Sequence, residues 1–278
     1  MKVIKMIASL TLLSSLACAS SIAASSENYI SFSSIVEKNI SLHKKNTHVN
    51  HKPHWSYSGI EGPSYWGDLG DTYSDCKTGK RQSPIDIETT SEKLGISDAG
   101  IYFNYNNVDL DIVNNGHTIQ VNISGDNESV INGKKYKLLQ FHFHAPSEHT
   151  IDGKPIAMEA HLVHIAADGE LAVIGVLMKE GAFNPFIEKI FNNMPTDAGK
   201  HKKNNNIKIN TNDILPTSKA HWHYMGSLTT PPCTQIVEWY LLKEAITISP
   251  KQLKQFHALY NGNSRPVQGL NKRVILQK

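Results

Sequence analysis

The segment Gln140-Phe141-His142-Phe143-His144 carries the first chemistry the chain offers. On an extended strand side chains alternate, so Gln140, His142 and His144 share one face and Phe141 and Phe143 the other. Two imidazoles roughly 6–7 Å apart along a strand can reach one ion, while the phenyl rings anchor the strand in a core. Further along stands Glu159-Ala160-His161-Leu162-Val163-His164, where Glu159, His161 and Val163 share a face. If this strand neighbours the first, His161 adds a third neutral nitrogen. Three imidazoles with one open position compose a catalytic zinc site, whereas a structural site is closed by four ligands, commonly including Cys. A ligating imidazole also needs its other ring N–H held by an acceptor, and Gln140 and Glu159 offer acceptors on the same faces.

Blander readings of these residues exist. Among 14 histidines such a pair also arises by chance, and a core imidazole is ordinarily satisfied by a backbone carbonyl. His142-x-His144 followed by Glu148 is similar to the first metal motif of cupins, which hold iron or manganese. Cupins need a second motif, with Pro and Gly ahead of another His. Nothing after Glu148 matches it, and His161 comes too soon.

The elements that must position these side chains read as strands. Short apolar runs recur at Leu110 to Val113, Leu138 to Phe143, His161 to Ile165, Leu171 to Met178 and Ile236 to Leu242. Asn115-Gly116, Asn132-Gly133 and Asp152-Gly153 punctuate them as hairpin signals. Two stretches read as helices: Pro185 to Asn192, and Pro250 to Tyr260 with Ser249 as cap and Pro250 at the first helical position. The fold class is therefore mostly β (α+β), a large twisted, mainly antiparallel central sheet with short peripheral helices. No repeat and no second domain boundary is visible.

Three regions follow from composition. Residues 1–23 read as a signal peptide: Lys2 and Lys5 precede an apolar run, and Ala17, Ala19, Ala23 and Ala24 offer cleavage positions. Cys18 leaves lipidation open as an alternative, although the usual Leu three places before it is absent. No stretch reaches the ~20 apolar residues of a spanning helix, so no stable membrane insertion is expected. Residues 24–50 form a polar linker or arm without apolar periodicity. Irregularly spaced His43, His48, His51 and His54 suit a solvated surface better than metal capture. Residues 51–278 suffice for one domain with a buried core. The formal charge is only +3, and Lys2 and Lys5 account for most of it, which gives no reason to expect nucleic acid as a partner. Once the leader and Cys18 are removed, Cys76 and Cys233 form an even pair that an oxidising compartment favours as a disulfide.

Taken together, these segments resemble the alpha-class carbonic anhydrases over about Trp55 to Arg273. The carriers are Trp55-Ser56-Tyr57, Gln82-Ser83-Pro84-Ile85, Asn114-Asn115-Gly116-His117, Gln140 to His144, Ser147-Glu148-His149, Glu159 to His164, Ser227 to Pro232 and Arg265-Pro266. Ala145-Pro146 departs from the Trp that animal members usually carry after the second ligand, a substitution also met in bacterial members. The resemblance implies reversible hydration of carbon dioxide to bicarbonate, by a hydroxide on zinc held by His142, His144 and His161. It makes Thr229 the acceptor of a hydrogen bond from the hydroxide, with its own hydroxyl proton directed to Glu148, and His117 the proton shuttle. It gives Val163, Val173, Leu228, Thr230 and Trp239 the substrate pocket, and Tyr57, Asn115 and Gln120 the water network. In isolation, Thr229 reads as a turn residue, Glu148 as a surface carboxylate, His117 as an exposed turn histidine and the apolar four as core.

The resemblance further implies binding of sulfonamide and anion inhibitors, a periplasmic or secreted location, and a homodimer by analogy with bacterial members. Those members also carry cysteines at both positions of the Cys76 and Cys233 pair. Two other functions fit parts of the pattern: a zinc-free relative acting as a binding domain, and a His-rich zinc carrier. The first loses zinc ligands that this chain retains. The second would bind several zinc ions weakly and hydrate nothing.

Overall fold

The computed structural model describes residues 53–90, 94–96 and 100–278. The leader, the polar arm, Cys18, His43, His48 and His51 lie outside the described residues. Among the described residues no helix is long and apolar enough to cross a membrane.

The strands expected from the apolar runs join one mixed sheet. Its path runs His201–Asn210, Asn107–Asn114, Ile119–Asn122, Lys134–His144, Met158–Ala166, Leu171–Glu180, Val237–Ile248, His221–Gly226, Ile275–Gln277 and Leu94–Ile96. Neighbours are antiparallel except for two parallel pairs, Leu171–Glu180 with Val237–Ile248 and Ile275–Gln277 with Leu94–Ile96. Asn132 and Gly133 take φ of 51° and 77° and join Glu128–Ile131 directly to Lys134–His144. That left-handed pair matches the twist of a tight hairpin, which is why Asn-Gly marks it. The edge strand His201–Asn210 has no counterpart in the apolar pattern. Its Lys- and Asn-rich residues are mostly exposed, as suits an edge that must not recruit another strand.

Register places the histidines. His161 stands directly opposite His142, and Glu159 opposite His144. On its other side His142 faces Gln120. In the adjacent row Gln140 faces Val163, Val163 faces Val173, and Val173 faces Trp239. Polar ligands and an apolar wall thus come from consecutive rows on one sheet face.

The opposite face is held by two helices. Phe141 and Phe143 are fully buried. Phe141 packs 6.0 Å from Phe186, and Phe143 packs 5.4 Å from Phe191 and 6.2 Å from Phe256. Truncating a core Phe of this kind costs about 3–5 kcal/mol. Helix Pro185–Phe191 is capped by Asn184, whose side chain accepts from the amides of Phe186 and Ile187. Helix Pro250–His257 begins with the expected Ser249 cap in a reciprocal capping box with Gln252. Gln252 also exchanges hydrogen bonds with the Asn184 backbone, 3.1 Å and 2.7 Å long, tying the two helix starts together.

Candidate active site

One ring nitrogen of each of His142, His144 and His161 comes within 4.8 Å of the others. The remaining nitrogens are held. His142 Nδ1 bonds Gln140 Oε1 at 2.9 Å, and His161 Nε2 bonds Glu159 Oε1 at 2.8 Å, as the shared strand faces predict. His144 Nδ1 donates 2.7 Å to the backbone carbonyl of Asn263, an acceptor the sequence did not reveal. This leaves His142 Nε2, His144 Nε2 and His161 Nδ1 pointing inward. His144 Nε2 is buried and finds no partner among the described residues, a costly state for a polar atom unless something else satisfies it. Burial, aided by the two neighbouring imidazoles, holds His142 well below its ordinary pKa. Burial likewise lowers His144 to about 4, against the pull of the Asn263 carbonyl. Neutral imidazoles with lone pairs converging are what a zinc ion requires, so the donor set fits that metal.

A polar chain extends outward from the third imidazole. Glu159 Oε1 also bonds His149 Nδ1 at 2.7 Å, His149 Nε2 bonds the Tyr224 hydroxyl at 2.6 Å, and that hydroxyl donates 3.0 Å to Ser83 Oγ. Burial would raise the Glu159 pKa, but electrostatic attraction to His149 and His161 and the hydrogen bonds they donate outweigh it and hold it well below the usual range. Room for its carboxylate comes from Gly175. A Cβ there would meet Leu241 Cδ1 at 2.7 Å and Glu159 Oε1 at 3.0 Å.

Glu148 lies beside the imidazoles, fully desolvated, with Oε2 3.8 Å from His161 Nδ1. Its Oε1 accepts from the Arg265 amide at 2.8 Å. Burial raises its pKa to about 7, opposed by His161, by the Arg265 amide and by a hydrogen bond from the Thr229 side chain. Thr229, itself buried, is thus among the groups acting on this carboxyl. The Thr229 loop is braced on both sides: Ser227 Oγ accepts from the Ser83 amide at 2.8 Å, and Trp239 Nε1 donates to the Ser227 carbonyl at 2.9 Å. Cys76 and Cys233 are joined in a disulfide, which closes the same loop against the N-terminal segment.

The residues expected to form the substrate pocket and the proton path lie in two regions. Val163, Val173, Leu228 and Trp239 are all buried, and the Trp239 ring lies 4.8 Å from that of His161. Thr230 is half-buried in the loop, where its carbonyl accepts from the Cys233 amide at 2.9 Å. His117 stacks on Trp55, ring centroids 3.7 Å apart and 7° from parallel. With Tyr57, His54 and Asn263 it lines a cleft of about 230 Å³. Burial, and secondarily the nearby His54, lowers the His117 pKa. Asn115 and Gln120 join each other at 3.5 Å beside it. Asn263 links the two regions, since its side chain donates to the His117 carbonyl at 3.1 Å while its own carbonyl holds His144.

A family model described as eukaryotic-type carbonic anhydrase matches residues 61–278. The chain is 44% identical over 233 residues to a carbonic anhydrase of Neisseria gonorrhoeae, covering 83% of this chain and 90% of that protein. It is 42% identical over 227 residues to one of Klebsiella pneumoniae, covering 81% and 91%. Among solved structures it is similar to the alpha-carbonic anhydrase of Thermovibrio ammonificans in complex with the inhibitor sulfanilamide. That likeness has 41% identity, a TM-score of 0.76, and coverage of 81% of this chain and 100% of the other.

Proposed function

The chain belongs to the alpha-class carbonic anhydrases, lyases that hydrate carbon dioxide, and we propose that it does so with zinc held by His142, His144 and His161. One observation carries this reading: three imidazoles, His144 and His161 buried and His142 half-buried, converge within 4.8 Å while each outer nitrogen is engaged by Gln140, Asn263 or Glu159. When bound to three neutral imidazoles, zinc supplies the charge that ionises water near neutral pH, an effect for which carbonic anhydrases are themselves the reference case, with a pKa of about 7.

The remaining work falls to the chain. The Thr229 hydroxyl donates its hydrogen bond to Glu148, so the Thr229 oxygen has only lone pairs left to offer. It therefore accepts from the attacking oxygen and turns that oxygen's free lone pair toward the substrate. Val163, Val173, Leu228 and Trp239 form a wall with no free hydrogen-bonding group beside this point, since the Trp239 N–H is spent on the Ser227 carbonyl, and such a wall suits an apolar gas rather than water. Thr230 and the Thr229 amide face the product bicarbonate, and the same groups receive a sulfonamide anion. His117 accepts the proton released in each turnover and passes it to buffer, the transfer an imidazole performs near neutral pH. Tyr57, Asn115 and Gln120 order the water between.

Export through a cleaved leader to the periplasm or beyond, and pairing into a homodimer, belong to the same reading. Metal analysis tests it: purified protein should hold one zinc per chain, and His142→Ala, His144→Ala and His161→Ala should each lose most of it. Full zinc content in any of the three would remove that residue from the site.

A further inference from the structure

A line of side-chain hydrogen bonds runs from the turn of His117 to an exposed histidine on the edge strand. Asn115 Oδ1 accepts from the amides of His117 and Thr118 at 3.0 and 2.9 Å. Its Nδ2 donates 3.5 Å to Gln120 Oε1, Gln120 Nε2 donates 2.7 Å to Asn122 Oδ1, and Asn122 Nδ2 donates 2.8 Å to Asp111 Oδ1. His201 Nε2 meets the same Asp111 oxygen at 2.7 Å. The register supports the line independently. His201 stands opposite Val113, Val113 opposite Gln120, and Gln120 opposite His142, so four adjacent strands carry one row to the zinc ligand.

Every amide in the line points its carbonyl toward His117 and its NH2 toward Asp111. A carboxylate can only accept, so the buried Asp111 end dictates the sense of each amide in turn. Reversing any one would set acceptor against acceptor or donor against donor. Asp111 is buried and His201 is exposed, which leaves His201 a donor at the solvent end.

We propose that Asp111, seconded by His201, is a positioning residue for proton transfer. It fixes which atoms Asn115 and Gln120 present to the water beside His117, and it holds the turn that carries His117. The proposal rests on His117 being the proton acceptor. In a family whose chemistry and proton release are separable, loss of Asp111 should slow the second and spare the first.

Isotopic oxygen exchange at chemical equilibrium measures both rates in the zinc-loaded enzyme. Asp111→Ala and Asn122→Ala should each lower proton-dependent release of labelled water about fivefold, a modest misplacement effect. Interconversion of carbon dioxide and bicarbonate should stay within about twofold, and imidazole buffer should restore the loss. His201→Ala should fall in the same direction by less. His117→Ala serves as the reference. If it slows proton release while Asp111→Ala and Asn122→Ala do not, the proposal is wrong and the His117 reading stands. If His117→Ala has no effect, that reading fails and the proposal with it. Equal loss of both rates, or loss of zinc, in the Asp111 and Asn122 variants would show a merely structural role. Should Asp111→Ala not fold, Asn122→Ala decides alone, because it breaks the line one step from the buried carboxylate.

Discussion

The backbone amide of Arg265 donates to Glu148 Oε1 across 2.8 Å, while its guanidinium donates to the Cys76 carbonyl at 3.1 Å. Arg265 also donates to Gln82 Oε1 and the Ser83 carbonyl, each at 2.8 Å, and Gln82 Nε2 reaches the Cys233 carbonyl at 2.9 Å. The Glu148 carboxyl, proposed to orient Thr229, is thereby tied to both halves of the disulfide. Burial lowers the guanidinium's pKa to about 10, against the pull of Glu148, so the cation stays charged. Lysine cannot reproduce this planar fork. Arg265→Lys should keep its zinc yet lose roughly tenfold in kcat/KM, as a displaced Glu148 no longer orients Thr229. Steady-state hydration kinetics with metal analysis checks this.

Reduction of the disulfide should act on the same loop. Cys76 and Cys233 are 157 positions apart, for which loop-closure entropy gives about 5 kcal/mol as an upper figure. Cys76→Ser with Cys233→Ser should lower the melting temperature clearly and reduce activity without removing zinc. Alkylation of the native protein with intact-mass readout should find neither thiol free.

Thr229→Ala should retain zinc and lose about a hundredfold in kcat/KM, a size typical of misplacing a reacting group. Sulfonamide binding, followed by calorimetry, should weaken in the same variant.

Stability should fall on acidification from His164. This imidazole is fully buried, with Nδ1 on the Leu162 carbonyl at 2.9 Å and Nε2 on the Tyr105 hydroxyl at 2.7 Å. Burial lowers its pKa to about 4, below the value of about 6.5 expected in the unfolded chain. Between those values the unfolded chain binds the extra proton, so stability rises with pH there and is lost as pH falls through the window. The contribution is about 3 kcal/mol at most. Urea unfolding between pH 7 and pH 4 should show the decline, with a shallower slope in His164→Gln.

Alternation along two strands made the imidazole faces legible, and with them the roles of Gln140 and Glu159, because acceptor and ligand lie two residues apart. The acceptor for His144 was not legible. It is a backbone carbonyl 119 positions away, and no residue type announces a carbonyl. The same holds for Arg265, whose motif was visible but whose contacts to Cys76, Gln82 and Glu148 exist only in the folded chain. His149 showed no periodic signal either, since it follows Glu148 in a loop and reaches Glu159 through space. The edge strand His201–Asn210 was hidden by polarity: exposed on both faces, it needs no apolar alternation.

Stopped-flow hydration of carbon dioxide by the purified protein tests the central claim most directly, before chelation, after it, and after zinc is restored. The predicted result is rapid hydration that disappears with the metal, returns with stoichiometric zinc, and is abolished by an aromatic sulfonamide. Hydration at the uncatalysed rate by protein holding one zinc on His142, His144 and His161 would contradict it.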